Sequence, residues 1–160
     1  MAEVKTLYNE DFLAWSMEQA QALRSAARGG SNQVLDWNNL AEEIESLGIS
    51  QRHALRSQIL RIIHHLLKLE YSSASEPRRR WDESISDARS QIELLLEDSP
   101  SLVGEIPSVV AAELKRGVRK AIRDLEKYGE LDGVSLARIQ ATAYTAEQIL
   151  GEWFPPKPKG

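Results

Sequence analysis

The sequence predicts an all-α fold, an irregular helical bundle of about five main helices plus a short C-terminal helix. Three observations carry this. Apolar residues recur at steps of three and four along most of the chain. Glycine, proline and serine punctuate those stretches. β-Branched alternation is too scarce for a sheet. The chain's 160 residues suit a single domain spanning 1–160. At this length about 70% of the unfolded surface is buried, so no disulfide or metal staple is needed.

The first helix is expected from Glu10 to Ala27, with Asn9 as N-cap and Gly29 and Gly30 as its stop. Phe12, Trp15, Leu23 and Ala26 make its apolar face. Asp36 caps a second, acidic helix whose stripe is Trp37, Leu40, Ile44 and Leu47. Gly48, Ile49 and Ser50 then read as a C-terminal glycine, a returning apolar residue and a new N-cap, either a full turn or a kink. The third helix, Gln51 to Tyr71, carries Leu55, Ile59, Ile62, Ile63, Leu66 and Leu69 on one side. Leu60 and Leu67 widen that stripe to about half the circumference at about 100° per residue, which marks the central helix.

A serine loop leads to a fourth helix starting near Ser75 and Pro77, with Trp81, Ile85, Ala88, Ile92 and Leu95 inward. Asp98-Ser99-Pro100 ends it, and a helical turn is expected at Pro100–Glu105. The fifth helix starts at Pro107 with the stripe Val110, Leu114, Val118, Ala121, Leu125 and Tyr128. Gly117 beside it suits a close helix approach, and Gly129 caps it. From Glu130 to Tyr144 the pattern fits a short helix, a surface loop or a brief extended pair. Thr145 with Gln148 resembles a capping box for the last helix. Trp153 and Phe154 anchor the end. The prolines and lysines of residues 155–160 read as a flexible extended tail.

Composition narrows function by exclusion. Cysteine is absent, which removes disulfides, thiolate zinc sites and a cysteine nucleophile, and fits a reducing cytoplasm. The stretch from Met1 to Phe12 lacks the apolar core of a signal peptide. No run approaches the roughly 18 apolar residues of a membrane span, so no membrane partner is expected. A net charge of −4 argues against broad nucleic-acid binding. Residues 1–50 hold 3 basic and 8 acidic side chains, whereas residues 51–128 hold 14 and 12. No HExxH, Walker, GxSxG or dinucleotide motif appears, and nothing calls for a cofactor.

The polar residues that invite a site are Glu42, Glu43 and Glu45 with His64, His65 and Trp81. Carboxylates and imidazoles from bundle helices can hold zinc or a di-metal centre when three or more converge. In an antiparallel hairpin, though, Glu45 stands level with Arg52, His53 and Arg56 rather than His65, so salt bridges across the turn are the plainer reading. His65 and Trp81 fall at similar height if the third and fourth helices are antiparallel. They then form either a pocket wall with a titratable imidazole or a stacked pair at the core border. Arg78, Arg79 and Arg80, with Arg119 and Arg123 and the lysines of the fifth helix, would make a phosphate patch if their faces met. The plainer reading is a solvated face paired with Glu113, Asp124 and Glu126. Arg61-x-x-His64 invites comparison with helical ribonucleases, at a shorter spacing than theirs.

Several short stretches, in order along nearly the whole chain, resemble a bacterial family, domain of unknown function twenty-nine. They are Leu7-Tyr8-x-x-Asp11-Phe12-x-x-Trp15, then Asp36 with Leu40-Ala41-Glu42-Glu43-Ile44-Glu45-Ser46-Leu47-Gly48. His65-Leu66-Leu67-Lys68, Trp81, Ser99-Pro100-Ser101-Leu102 and the Thr145–Pro155 ending complete the set. The resemblance implies an α-helical bacterial domain and supplies no activity. That family often has Cys-Pro just before the threonine. Here Ala143-Tyr144 stands there, so no role for that cysteine carries over. Function is thus expected to be a non-catalytic interaction or assembly module of the cytoplasm, homo-oligomeric or with a protein partner, using aromatic surface near the termini. The competing class is a hydrolase acting on nucleic acid or with a metal held by Glu and His.

Overall fold

The computed structural model describes residues 7–30, 32, 34–131 and 136–158, and expectations placed on the remaining residues lie outside it. Every regular element among the described residues is helical, as the periodicity requires. After a helical turn at 7–10 come α1 (Phe12–Arg28), α2 (Trp37–Tyr71), α3 (Arg78–Asp98), a 3-10 segment (Pro100–Glu105), α4 (Ile106–Lys127), α5 (Leu136–Ala141) and α6 (Ala146–Leu150). The chain forms two compact units. One comprises Met1–Leu55 with Leu94–Gly104, and the other Arg56–Glu93 with Glu105–Gly160.

In the first unit the N-cap of α1 is Asp11 rather than Asn9. Its Oδ1 accepts from the Ala14 amide at 2.9 Å. The same carboxylate accepts from the Ser101 amide (2.7 Å) and hydroxyl (3.0 Å), while Ser99 Oγ accepts from the Leu13 amide (3.1 Å). Two stretches about ninety residues apart are thereby tied around one helix start, which satisfies amides that α1 cannot bond internally. Gly29 follows α1, and Gly30 adopts φ +72°, the left-handed region expected past a helix end.

Asp36 does cap α2, accepting from the Asn39 amide at 3.3 Å. The break expected at Gly48 is absent: α2 is one helix of 35 residues. A Cβ at residue 48 would lie 2.0 Å from Ser16 Oγ and 3.1 Å from Leu13 Cδ1, so Gly48 serves the close approach of α1 instead of a turn. Ser50 correspondingly caps nothing; its hydroxyl donates back to the Leu47 carbonyl at 2.6 Å.

In the second unit the wide stripe of α2 is buried as expected, with Ile59, Ile62, Ile63, Leu66 and Leu67 all inaccessible. α3 turns Trp81, Ile85, Ala88 and Ile92 inward. On α4 the buried set is Ile106, Val110, Glu113, Gly117, Ala121 and Leu125. Leu114 and Val118 flank it, and Tyr128 is exposed. Gly117 allows close approach, since a Cβ there would meet Ile63 Cγ2 at 2.5 Å. Glu113, expected on the solvated face, is buried and accepts from Arg56 Nε at 3.1 Å. α4 ends in a Schellman arrangement. The Glu130 amide donates to Leu125 O, the Gly129 amide to Glu126 O, and Gly129 has φ +68°.

The 130–144 stretch contains α5, and the Thr145–Gln148 capping box is formed in full. Tyr144 is buried and donates to Glu70 Oε2 at 2.6 Å. Arg89 holds the C-terminal segment. Its Nε donates to Ile149 O (2.8 Å), and its Nη2 to Gln148 O (2.8 Å) and Trp153 O (2.7 Å). Its guanidinium also lies 4.8 Å from the Phe154 ring centroid.

Candidate functional site

Two features stand out, one in each unit. In the second unit, residues 64 and 68 of α2 are one helical turn apart and so share a face. His64 Nε2 lies 2.8 Å from Asp124 Oδ2, and Lys68 Nζ lies 3.3 Å from the same oxygen. The ammonium also stands 4.5 Å from the centroid of Trp81, a cation–π contact. Beyond it, Ser72 Oγ donates to Glu130 Oε2. Lys68, Asp124, Trp81, Ser72 and Glu130, with Ala74, Pro77, Leu125 and Tyr128, border a pocket of about 310 Å³, and His64 stands behind Asp124.

The electrostatics follow from burial. Desolvation pushes the His64 imidazole below its ordinary value, and the Asp124 carboxylate only partly restores it. His64 is therefore neutral near pH 7, and the short contact assigns its proton to Nε2, donating to Asp124. Burial alone would raise Asp124; His64 and Lys68 outweigh it and hold the carboxyl low. His65 stacks on His64, with centroids 5.2 Å apart and planes at 25°. Its Nδ1 is buried without a hydrogen-bond partner, and desolvation first, then the neighbouring His64, Lys68 and Arg61, push it down to about 4. The group over Trp81 is thus Lys68, while the ring on His65 is His64.

The carboxylates of the acidic segment stand elsewhere. Glu42 and Glu43 are exposed, and Glu45 binds Arg24 of α1 at 2.5 Å. Arg52 does help to hold the Glu45 carboxyl low, after Arg24, but the expected tie from Glu45 to Arg56 required a hairpin. With α2 continuous, Arg56 lies three turns further along and pairs with Glu113. Among the described residues no three His, Asp or Glu side chains converge as a metal requires. Of the arginine run, Arg78 donates to Leu69 O (2.6 Å) and Ser72 O (3.0 Å), capping the end of α2. Arg79 pairs with Glu83, whereas Arg80, Arg119 and Arg123 are exposed.

The second feature is the face of α2 in the first unit. The stripe Trp37, Leu40, Ile44 and Leu47 was expected to face the core. Burial is instead centred about 70° round the helix, on Ala41 and Gly48, and leaves Trp37 and Ile44 half-buried. Leu40 is 41% and Leu47 51% exposed. One turn beyond Leu47 on the same face is Gln51, which with Tyr8, Asn9, Phe12 and Asp98 lines a second pocket of about 380 Å³. Tyr8, Phe12 and Trp15 form an aromatic cluster there, with centroids 4.8 to 6.1 Å apart.

These features define an all-helical protein with no recognisable catalytic constellation among the described residues. The chain belongs to the family described as domain of unknown function DUF29, which it matches over residues 7–154. It is similar to a crystal structure of an α-helical protein of unknown function from Rhodospirillum rubrum. The two are 25% identical, with a TM-score of 0.70, over 91% of this chain and 89% of that one. No curated protein matches it. No described helix is long and apolar enough to cross a membrane.

Sequence reasoning singled out His64, His65 and Trp81 but missed Asp124, Ser72, Glu130 and Tyr128 as their neighbours. A signal existed for Lys68. It lies in the stretch that carried the family resemblance, one turn after His64.

Proposed function

We propose that the protein is a non-catalytic interaction module of the bacterial cytoplasm. Its first unit docks a basic amphipathic helix presented by a protein partner. The observation that carries this is the rotated burial of α2, where Ala41 and Gly48 are covered and Leu40 and Leu47 are exposed. Exposed Leu40 and Leu47, with half-buried Ile44 between them, continue into an aromatic pocket at Tyr8 and Phe12, the form of a helix-binding groove. The flanks choose the partner's charge. Asp36, Glu43 and Asp98 are all exposed beside this surface. A second copy would bring acidic flank against acidic flank, which costs affinity, whereas lysines on a partner helix complement it.

The test uses a fluorescent 20-residue amphipathic peptide of leucine and lysine, and a counterpart with glutamate for lysine. Anisotropy should report saturable binding of the first only. Leu40→Ser with Leu47→Ser should weaken it at least tenfold, while Leu136→Ser, an exposed site in the second unit, leaves it unchanged. Equal binding by the doubly substituted chain overturns the reading. A concentration-dependent mass abolished by the same pair would make the occupant a second copy instead.

A further inference from the structure

We propose that the pocket bordered by Trp81, Tyr128, Asp124 and Glu130 binds a small organic cation, an ammonium group carried on an apolar body.

Charge is the first argument. Lys68 is matched by Asp124 at 3.3 Å, and His64 beside it is held neutral by burial. Glu130 is left as the pocket-wall carboxylate without a cationic partner among the described residues. Ser72 Oγ fixes it through Oε2, and one hydroxyl uses a single one of the roughly four acceptor positions of a carboxylate.

The helix ends add no net negative charge. Lys68 and Ser72 stand at the end of α2, and Asp124, Leu125, Tyr128 and Glu130 at the end of α4. Helix C-termini are negative poles, each equivalent to about half a charge. The start of α3, at Pro77 and Trp81, offsets the pole of α4, and the Arg78 guanidinium, donating to the carbonyls of Leu69 and Ser72, offsets that of α2. The group that recognises a cation is therefore the Glu130 carboxylate itself.

The walls fit the ligand class. Lys68 shows that an ammonium is accepted between the Trp81 ring and a carboxylate. Tyr128, 66% exposed, supplies a second aromatic face, and Lys127 Nζ, 5.4 Å from its centroid, shows that this ring too accepts an ammonium. Pro77, Ala74 and Leu125 provide apolar surface for the ligand body, and 310 Å³ lies at the small end of ligand pockets.

The experiment titrates the full ¹⁵N-labelled chain with benzylammonium, benzyl alcohol and benzoate, three probes of one shape and different charge. Trp81→Phe assigns the indole resonance. Benzylammonium should shift the Trp81 indole and Tyr128 amide saturably, with Kd on the order of 1 mM, as expected for about eight heavy atoms. The neutral and anionic probes should bind at least tenfold more weakly. Glu130→Gln and Tyr128→Leu should each weaken benzylammonium at least threefold. Tyr128→Leu tests the claim even if Glu130→Gln disturbs the fold. Benzoate binding as well as benzylammonium, no saturable shift at about 30 mM, or indifference to Tyr128→Leu overturns the proposal.

Discussion

Ser16 and Gly48 bring α1 and α2 so close that no side chain fits between them: a Cβ on residue 48 would stand 2.0 Å from Ser16 Oγ. Ser16 is fully buried, its hydroxyl donating to Leu13 O at 2.8 Å. The glycine's lack of volume is what matters here, because the helix runs straight through it.

Gly48→Ala should therefore destabilise the protein by about 1–3 kcal/mol, the range of core overpacking. At an open helix position the same change would stabilise by up to about 1 kcal/mol, so the sign is diagnostic. Ser16→Ala should recover part of the loss, since it removes the nearest clash and leaves a Cβ at 3.2 Å. Denaturant unfolding of the two single variants and the double variant gives the coupling. Simple additivity would mean that Ser16 is not the obstacle.

His65 makes stability depend on pH. Its ordinary value of 6.5 falls to about 4 in the fold, first because burial disfavours the cation. Above pH 6.5 both folded and unfolded forms are neutral there and nothing is gained or lost. Between about 6.5 and 4 the unfolded chain binds the proton and the folded chain does not, so stability falls as pH falls. From pH 7 to 5 the loss is on the order of 2 kcal/mol. His65→Gln should flatten that interval in urea titrations. An unchanged slope would show that His65 is protonated in the fold.

Fold class was legible because it depends on periodicity, and the inward faces of α2 beyond Leu55 and of α3 fall where their spacing puts them. The face at 37–47 was misread for a physical reason. Periodicity locates a stripe of large apolar residues but does not say that this stripe is covered. Here burial falls on the small residues beside the stripe, Ala41 and Gly48, and Gly48 meets α1. Gly48 misled in the same way, because a glycine before Ile and Ser has the local chemistry of a helix end and its true reason is a neighbour about thirty residues back. The His64–Asp124 pair spans 60 residues, and Asp124 had been assigned to a solvated row of α4. No local signal distinguishes a carboxylate paired along its own helix from one reaching another. Glu113, buried against Arg56 across 57 residues, is a second case.

Arg89 is the residue on which the C-terminal segment depends, and its three bonds reach carbonyls of Gln148, Ile149 and Trp153. Two of those carbonyls belong to the last turn of α6, whose five residues make it too short to persist alone. Arg89→Ala should cost about 2–4 kcal/mol, because the carbonyls stay behind with their partner gone. Arg89→Lys should recover little, since a single ammonium cannot span three acceptors as the planar fork does. The loss should also be local. Amide exchange at Ile149 and Gly151 should accelerate well beyond that of Ile85 and Ile92, which lie in the buried face of α3. Uniform acceleration across both segments would instead make the C-terminal segment part of a single cooperative unit with α3.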